Sequence, residues 1–467
     1  MRGMTHSTAI DGTDIALFTD LYELTMADAY LSSGHDAAAT FSLFVRRLPT
    51  RRNYLIACGL EQVLTYLENL TFSAGDLAYL RDLGRFSEDF LERLSRLRFT
   101  GDVDAVPEGT PVFANEPILE VTAPIAEAQI AETFIMNQVT LQTVLASKAA
   151  RIVDAAAGRP VIDFGARRMH GLDAAATGAR AFHIAGVAGT SNVLAARRFG
   201  LPAMGTMGHS FIQSYGSELD AFRAFVKRFP DTVLLVDTYD TLAGIDNVIA
   251  LAKEMKGEFR VAGVRIDSGD LGGLAMAARR KLDAAGLQAV RIILSSGLDE
   301  YKVADLVASG VPVDGFGVGT AMGVSDDAPG IDIAYKLCAY DGRGRTKLSA
   351  EKPVLPGRKQ VFRSLCDGVM TGDVIARAGE EGDGRALLVP VMRDGHRIAG
   401  ASPDIGAVRA RAEAARDTLP AEIRAIAPAA RPYPVVVSQA LADDHRAVME
   451  ECAGGLTRAA SAARGRT

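Results

Sequence analysis

Short apolar runs alternate with amphipathic helical patterns from residue 160 onward. Each run is rich in Val, Ile, Leu or Phe and is followed by a stretch in which the apolar positions have helical spacing. The runs lie at 160–163, 201–206, 232–237, 259–266, 290–295, 313–318 and 334–340, and the first helical pattern after 163 lies at 189–199. A β/α unit repeated six or seven times predicts a parallel sheet, open or closed into a barrel.

The chain before residue 160 has a mixed pattern. A helix is predicted over 17–31, opened by a Thr19-Asp20 cap, and a strand over 41–45. The basic loop at 46–53 is either a solvated edge or an anion site. Further helices are predicted at 59–68, 75–97, 124–157, 406–425 and 438–452.

Composition excludes several classes of protein. The chain has 467 residues, of which 48% are hydrophobic and 23% charged, values typical of a globular protein. This length predicts two domains. A net charge of -6 without a basic stripe argues against nucleic-acid binding. Four scattered cysteines argue against a zinc cluster or a disulfide framework, and no apolar run suits a membrane span or a signal peptide. We therefore expect a soluble, cytoplasmic protein.

Reactive or glycine-rich residues follow six of the predicted strands. They are Asp163-Phe164-Gly165-Ala166-Arg167-Arg168, Gly208-His209-Ser210, Asp237-Thr238-Tyr239-Asp240, Arg265-Ile266-Asp267-Ser268-Gly269-Asp270, Ser295-Ser296-Gly297 and Gly317-Val318-Gly319-Thr320. The carboxyl ends of barrel strands form one active face. A lone histidine such as His209 is either a buried side chain satisfied by a backbone carbonyl or a nucleophile or base. The series of strand ends favours a functional histidine.

Several strand-end residues suit a sugar phosphate. Backbone N–H groups and hydroxyls that favour a phosphate monoester are predicted at Ser295, Ser296, Gly297, Gly317, Gly319 and Thr320. Arg265 and Asp267 are two residues apart on one strand and face the same way, either to bind a sugar phosphate or to form a structural ion pair. Asp237 and Asp240 either hold Mg²⁺ through water or cap the next helix.

The first strand end suits a planar aromatic acid, since Phe164 supplies a flat face and Arg167 and Arg168 supply cations. Joining such an acid to an activated ribose requires stabilisation of pyrophosphate charge more than a strong base. His209 then fits a phosphoryl acceptor as well as a proton shuttle.

Five motifs, in order, resemble the nicotinate phosphoribosyltransferase family over residues 14 to 365. They are TDLYELTMADAYL (19–31), DFGARR (163–168), GVAGTSNVLAARRFGLPAMGTMGHSF (186–211), GVRIDSGDL (263–271) and FGVGT (316–320). The resemblance implies an α/β fold, with an irregular TIM-like barrel and an N-terminal α/β domain completed by later segments. The predicted plan is a flexible lead (1–13), the N-terminal domain (14–135), the barrel (136–345), a return segment with C-terminal helices (346–453) and a disordered tail (454–467). The resemblance also implies a homodimer with sites at the subunit interface.

The implied reaction joins nicotinate to phosphoribosyl pyrophosphate, with ATP and Mg²⁺ as cofactors and His209 as a phosphohistidine, which makes the enzyme formally a ligase. Nicotinate would stack on Phe164 and on Tyr22 of the other subunit, with its carboxylate near Arg167. Arg265 would act with Asp267 on the phosphoribosyl group. The phosphates would be bound by Arg168, Ser295, Ser296, Gly297, Gly317, Gly319 and Thr320.

Ser191 bears on the choice of substrate. The related nicotinamide enzyme carries an acidic residue at this position, which would repel an acid, whereas a serine permits one. The alternative is that Ser191 caps the helix after it. Two departures from the family pattern are Gly208, where alanine is expected, and Met169.

Three alternative functions stay open from the sequence. They are a nicotinamide phosphoribosyltransferase, a barrel isomerase or aldolase acting on sugar phosphates, and a non-catalytic nucleotide-binding subunit. A strand-end lysine would favour the aldolase, and the motifs contain none.

Overall fold

The computed structural model describes residues 15–348 and 354–464, with side chains described as far as 454. The predicted lead at 1–13 and the last three residues of the predicted tail lie outside the described residues. The chain forms two compact units. The first contains the chain up to Thr143, Gly330–Arg424 and the chain from Pro428 onward, and the second contains Val144–Pro329 with Ala425–Ala427.

The helices and strands of the described residues form three groups along the chain. The first is α1 (Leu21–Ser32), β1 (Ala38–Val45), β2 (Leu55–Ile56), α2 (Leu60–Asn69), α3 (Ala74–Asp82), α4 (Glu88–Arg96), β3 (Asp102–Ala105), β4 (Pro111–Val112), β5 (Pro117–Pro124), α5 (Ile125–Ile130) and α6 (Glu132–Ala155). The second is β6 (Val161–Asp163), α7 (Leu172–Ile184), β7 (Gly189–Thr190), α8 (Val193–Phe199), α9 (His209–Gln213), α10 (Glu218–Arg228), β8 (Val233–Leu235), α11 (Thr241–Met255), β9 (Gly263–Ile266), α12 (Leu271–Ala284), β10 (Arg291–Ser295), α13 (Glu300–Ala308), β11 (Gly315–Val318) and α14 (Thr320–Val324). The third is β12 (Ile333–Tyr340), β13 (Arg343–Gly344), β14 (Lys359–Cys366), β15 (Val369–Arg377), β16 (Arg385–Ala386), β17 (Val389–Arg393), β18 (His396–Arg397), α15 (Ile405–Asp417), α16 (Ala421–Arg424), β19 (Val435–Val437) and α17 (Gln439–Arg464).

An antiparallel sheet with the order β13-β12-β1-β5-β3-β17-β18 is the main sheet of the first unit. Its strand β1 contains the predicted strand at 41–45 and is buried from Ala39 to Val45. Leu43 lies opposite Leu119 of β5 and Tyr335 of β12, all three buried. Burial of such apolar side chains contributes about 1.5–3 kcal/mol each, so this strand anchors the core of the unit.

Local capping sets several helix boundaries in the first unit. The predicted 75–97 helix is two helices, α3 and α4, because Ser73 and Ser87 each accept a hydrogen bond from the backbone of a new first turn. Helix α1 begins at Leu21, and Asp20 occupies the N-cap position without a side-chain cap. In the basic loop, Arg46 and Arg47 pair with Asp332, at 3.1 and 3.4 Å.

Six parallel strands form the sheet of the second unit, in the order β7-β6-β11-β10-β9-β8. The central strands are buried on both faces, as the adjacent residues Ile293 and Leu294 of β10 show, and helix α12 packs on β9 and β10. Within the described residues β8 pairs on one side only, so the sheet is open. The protein is therefore α/β, and the predicted closed TIM-like barrel is not confirmed.

Two of the seven predicted strands differ in the structure. The 201–206 run forms only a bridge between Ala203 and Thr190. Pro202 lacks an N–H, and Leu201 N donates to Ala196 O rather than to a strand. Gly189–Thr190 is a strand, although the pattern at 189–199 predicts a helix there. The 334–340 run lies in β12 and pairs with β1 of the first unit.

The C-terminal helix is longer than the sequence pattern predicts. Helix α17 extends to Arg464, past Gly454, where the predicted disordered tail begins. None of the helices in residues 15–348 and 354–464 is both long and apolar enough to cross a membrane.

Candidate active site

The carboxyl ends of the parallel strands open into one cavity of about 930 Å³ in the second unit. This volume is typical of a small-molecule site. The predicted residues in its wall are Phe164, Arg167, Arg168, Ser191, His209, Arg265, Asp267, Ser295, Ser296, Gly297, Gly317, Gly319 and Thr320. No lysine of the described chain lines it, and a lysine is what a Schiff-base aldolase requires.

His209 is the first residue of α9 and follows Gly208, the N-cap residue. Its Nδ1 atom lies 3.1 Å from Thr238 Oγ1, and its Nε2 atom lies 3.7 Å from Asp267 Oδ2. The side chain is 41% exposed, so His209 is not a buried histidine satisfied by a backbone carbonyl. An added Cβ at Gly208 would come no nearer than 3.9 Å to Ser210 Oγ, so packing does not require glycine there.

Arg265 and Asp267 lie at the end of β9 and both line the cavity. Arg265 Nη2 donates to Met207 O at 3.1 Å, and its guanidinium carbon lies 5.5 Å from the centre of the Phe164 ring. Asp267 Oδ1 accepts a 2.5 Å hydrogen bond from Ser295 Oγ. The two side chains therefore bind other groups, and the structural ion pair that the sequence left open does not form between these two described residues.

The electrostatic setting of Arg265 favours an anionic ligand. Burial lowers the pKa of Arg265, the carboxylates of Asp267 and Asp237 raise it in part, and Arg167 lowers it further. The group stays protonated at neutral pH because a guanidinium has an ordinary pKa above about 12. Its Nε atom is buried and has no hydrogen-bond partner among the described residues. An anion in the cavity would offset the cost of burying this charge.

Asp237 and Asp240 are absent from the cavity wall. Asp240 caps α11 and accepts a hydrogen bond from Ala243 N at 2.7 Å. Asp237 Oδ2 accepts from Asp267 N at 3.0 Å and from Ser268 Oγ at 2.5 Å. In the described ranges, no group of three or more His, Cys, Asp or Glu side chains could hold a metal ion. Asp240 is therefore a helix cap, and Asp237 orders the turn after β9.

Backbone conformation in one late loop and close packing in the other restrict the side chains that fit. Ser296 and Gly297 have φ values of 95° and 53°, and φ values in this range are costly for most side chains. A Cβ at Gly317 would lie 2.4 Å from Phe164 Cε2. Glycine at 317 therefore lets the Phe164 ring lie against β11.

A buried carboxylate that sequence reasoning assigns no role connects two parts of the site. Asp163 accepts hydrogen bonds from Gly165 N and Thr190 Oγ1, both at 2.7 Å, and its carbonyl accepts from Ser191 N at 2.9 Å. Burial raises its pKa, and these two side-chain hydrogen bonds lower it in part. Asp163 thus joins the Phe164 loop to the segment that carries Ser191.

Ser191 is exposed and lines the cavity. Helix α8 begins at Val193, and its cap is Asn192, whose side chain accepts from Ala195 N at 3.2 Å. The interpretation of Ser191 as a helix cap is therefore wrong, and the position is open to a ligand.

Tyr22 lies on α1 in the first unit, whereas the cavity lies in the second. Its side chain is 46% exposed. Burial and the Glu132 and Glu23 carboxylates raise its pKa, so the phenol stays neutral. Stacking of a base on Tyr22 of another subunit stays a prediction.

Gly317→Ala is expected to raise KM for an aromatic acid substrate by about tenfold, because the new Cβ would displace the Phe164 ring and overpacking costs about 1–3 kcal/mol. Gly205→Ala is the matched control, since it lines the same cavity and a Cβ there meets no atom within 4 Å. Steady-state kinetics with melting temperatures would test this. Equal KM values in the two variants would contradict it.

Family models match both parts of the chain. Residues 17–140 match the nicotinate phosphoribosyltransferase (NAPRTase) N-terminal domain, and residues 160–338 match the nicotinate phosphoribosyltransferase (NAPRTase) family. The second match contains every predicted site residue except Tyr22, which lies in the first.

Whole proteins of the same kind are similar over most of their length. Nicotinate phosphoribosyltransferase pncB2 of Mycobacterium tuberculosis is 55% identical over 423 residues, which cover 91% of each chain. The nicotinate phosphoribosyltransferase of Bacillus subtilis is 43% identical over 377 residues, covering 79% of this chain and 77% of that protein. The crystal structure of human nicotinic acid phosphoribosyltransferase has a TM-score of 0.82 at 27% identity, covering 92% of this chain and 99% of that one. The chain belongs to the nicotinate phosphoribosyltransferase family.

Proposed function

We propose that this protein joins nicotinate to 5-phosphoribosyl 1-pyrophosphate in NAD biosynthesis, giving nicotinate mononucleotide and pyrophosphate. The observation that carries the proposal is a single cavity in which Arg265 lies over the Phe164 ring beside two small-residue loops. The cavity thus combines a flat aromatic surface with groups for phosphate. Relatives with this activity match nearly the whole chain.

Nicotinate binds with its ring on Phe164 and its carboxylate near Arg167. A guanidinium fork suits a carboxylate because it donates two parallel hydrogen bonds. The 5′-phosphate binds the loops at 295–297 and 317–320, and Arg168 adds a further cation to the same wall. In this arrangement Arg167, Arg168 and the backbone N–H groups of the two loops each face a negative charge of the substrates.

The transfer step needs charge stabilisation and no general base. The pyridine nitrogen forms a bond to the ribosyl C1 atom, and the bond from C1 to pyrophosphate breaks. Negative charge grows on the leaving pyrophosphate, where Arg265 stabilises it. Asp267 accepts hydrogen bonds from ribose hydroxyls and stabilises positive charge on the sugar ring.

His209 accepts the γ-phosphoryl group of ATP, which couples the reaction to ATP hydrolysis and makes the enzyme formally a ligase. A bond forms from an imidazole nitrogen to phosphorus, and ADP leaves. Water later hydrolyses the phosphohistidine and releases phosphate. The proposal is supported by the exposure of the imidazole to the cavity, by the 3.1 Å contact of Nδ1 with Thr238 Oγ1 and by Asp267 Oδ2, which lies 3.7 Å from Nε2.

Mg²⁺ fits this site as an ion carried by the phosphates of ATP and phosphoribosyl pyrophosphate. Mg²⁺ is usually held by one or two carboxylates together with substrate phosphates. Asp267 is the cavity carboxylate that would bind it, and Asp237, behind Asp267, has a buried Oδ1 atom without a partner among the described residues. When bound, the ion neutralises phosphate charge.

Release of pyrophosphate from phosphoribosyl pyrophosphate tests the proposed function. The purified protein is given nicotinate, nicotinamide or quinolinate, each with and without ATP. We expect release with nicotinate and stimulation by ATP. Turnover of nicotinamide without turnover of nicotinate would overturn the substrate, and failure of ATP to stimulate would overturn the coupling.

Ser191→Asp is expected to lower kcat/KM for nicotinate about tenfold, because a second carboxylate at this exposed position of the cavity wall would repel that of the substrate. Ser191→Asn is the matched control, since asparagine has nearly the same size as aspartate but carries no charge. Steady-state kinetics at several salt concentrations would test the charge effect. An equal loss in both variants would show that size, and not charge, matters at this position.

We also propose that the protein is a homodimer with shared sites. The exposed apolar side chains of the second unit include Leu172 (85%) and the adjacent Val193 (75%) and Leu194 (56%), and Val193 lines the cavity. Adjacent apolar side chains exposed beside a cavity are typical of a surface that another chain covers. The predicted cytoplasmic location stays a prediction.

A further inference from the structure

A buried lysine outside the cavity wall connects two segments that follow the phosphate loops. Lys148 lies on α6, and its side chain is 1% exposed. Its Nζ atom lies 2.6 Å from Glu300 Oε2, 2.8 Å from Asp327 Oδ1 and 3.1 Å from Asp326 Oδ1. Glu300 is also fully buried and pairs with Arg151 Nε at 2.9 Å. A fully buried charge is costly unless an opposite charge is paired with it.

Both groups of carboxylates follow a loop of the cavity along the chain, Glu300 directly and Asp326 and Asp327 after one short helix. Glu300 is the first residue of α13 and follows the loop at 295–298. Asp326 and Asp327 follow α14, whose first residue, Thr320, lines the cavity. One ammonium group therefore holds together the segments into which the two phosphate loops lead.

We propose that Lys148 is a positioning residue that sets the separation of the two phosphate loops, at 295–297 and 317–320, and thereby the fit of the phosphoribosyl group. The proposal rests on the proposed function, because it concerns the same substrate. Lys148 touches no substrate and acts through Glu300 and Asp327.

Loss of the ammonium group would remove the contact that Glu300, Asp326 and Asp327 share. Like charges a few ångströms apart repel strongly in a buried setting. Asp326 is half exposed and can turn to solvent, whereas Glu300 stays bound to Arg151. Asp327 is 10% exposed and loses the 2.8 Å contact that connects it through Lys148 to Glu300. Without this connection the α14 side of the phosphate site can shift relative to the α13 side.

Lys148→Met tests the proposal, since methionine keeps an apolar stem without the charge. We expect KM for phosphoribosyl pyrophosphate to rise about tenfold, because small errors in substrate placement are costly, while KM for nicotinate changes less than about twofold. Calorimetry with phosphoribosyl pyrophosphate alone should show the same loss of affinity. This binding measurement does not use nicotinate. If the wild-type protein binds phosphoribosyl pyrophosphate but does not turn over nicotinate, the proposed function is overturned, and the positioning role of Lys148 is still tested by the binding measurement.

Lys359→Met is the matched control. Lys359 is 4% exposed and pairs with Glu120 at 3.0 Å in the first unit, so its loss measures the general cost of removing a buried cation. Unchanged affinity for phosphoribosyl pyrophosphate in folded Lys148→Met, or an equal loss in Lys359→Met, would overturn the proposal. If Lys148→Met does not fold, Asp327→Asn removes one charge with little change of shape. It should weaken the same affinity to a smaller degree, and wild-type affinity would overturn the proposal.

Discussion

Replacement of His209 by alanine is expected to abolish phosphate transfer from ATP to the protein while leaving some ATP-independent transfer to nicotinate. His209 is the one histidine in the cavity wall of the described chain, and an imidazole nitrogen is the acceptor that forms an acid-labile phosphate. Arg265, Asp267 and both phosphate loops remain in the variant, so the ribosyl transfer step keeps its main charge stabilisation. Incubation with γ-phosphate-labelled ATP, followed by acid treatment, measures the first effect, and pyrophosphate release measures the second.

His396→Ala is the control for this prediction, since His396 is an exposed histidine of the first unit. It should be labelled like the wild type and should keep full stimulation by ATP. Persistent acid-labile label in His209→Ala would move the phosphate to another residue. Loss of label together with unchanged ATP stimulation would show that coupling does not pass through a phosphohistidine.

The composition of the cavity wall could be predicted from the sequence because the β/α repeat is local. Each strand and its following loop are adjacent in the chain, and parallel strands place their carboxyl ends on one edge. His209 and Arg265 therefore come together although they lie on different repeats. The run at 334–340 could not be placed in this way, because β12 pairs with β1, far away in the chain. Closure of the sheet into a barrel also depends on pairing between strands far apart in the chain. In the described residues β8 pairs with β9 alone, so the sheet is open.

Side-chain roles were less predictable than positions, because several residue types have two local uses. An aspartate before a helix caps it or faces a ligand, and only the hydrogen bond from Ala243 N shows that Asp240 is a cap. Asn192, and not Ser191, caps α8. The contact of Thr238 with His209 joins residues on different loops, and no spacing rule connects them.

Arg265→Ala is expected to lower kcat/KM for phosphoribosyl pyrophosphate by about 100- to 1,000-fold, since a preorganised group that stabilises transition-state charge contributes about this much. The guanidinium is buried, lies over Phe164 and has an unpaired Nε donor in the described structure. Arg265→Lys keeps the charge but loses the planar fork, so an intermediate loss is expected. A melting temperature close to that of the wild type would attribute the loss to the site. A loss below about threefold in folded Arg265→Ala would contradict a role in the transition state.

The same variant can decide whether two subunits share one site. Tyr22 lies in the first unit of the chain and Arg265 in the second. If two subunits share a site, Tyr22 comes from one subunit and Arg265 from the other. In a heterodimer of Tyr22→Ala and Arg265→Ala subunits, one site would then carry both changes and the other neither. Random assembly makes half of the dimers mixed, so about a quarter of all sites would be intact, and activity should recover to about that fraction. Two different affinity tags isolate the heterodimer, in which half of the sites should work. If its activity stays as low as that of either variant alone, Tyr22 and Arg265 act within the same subunit or Tyr22 has no part in the site.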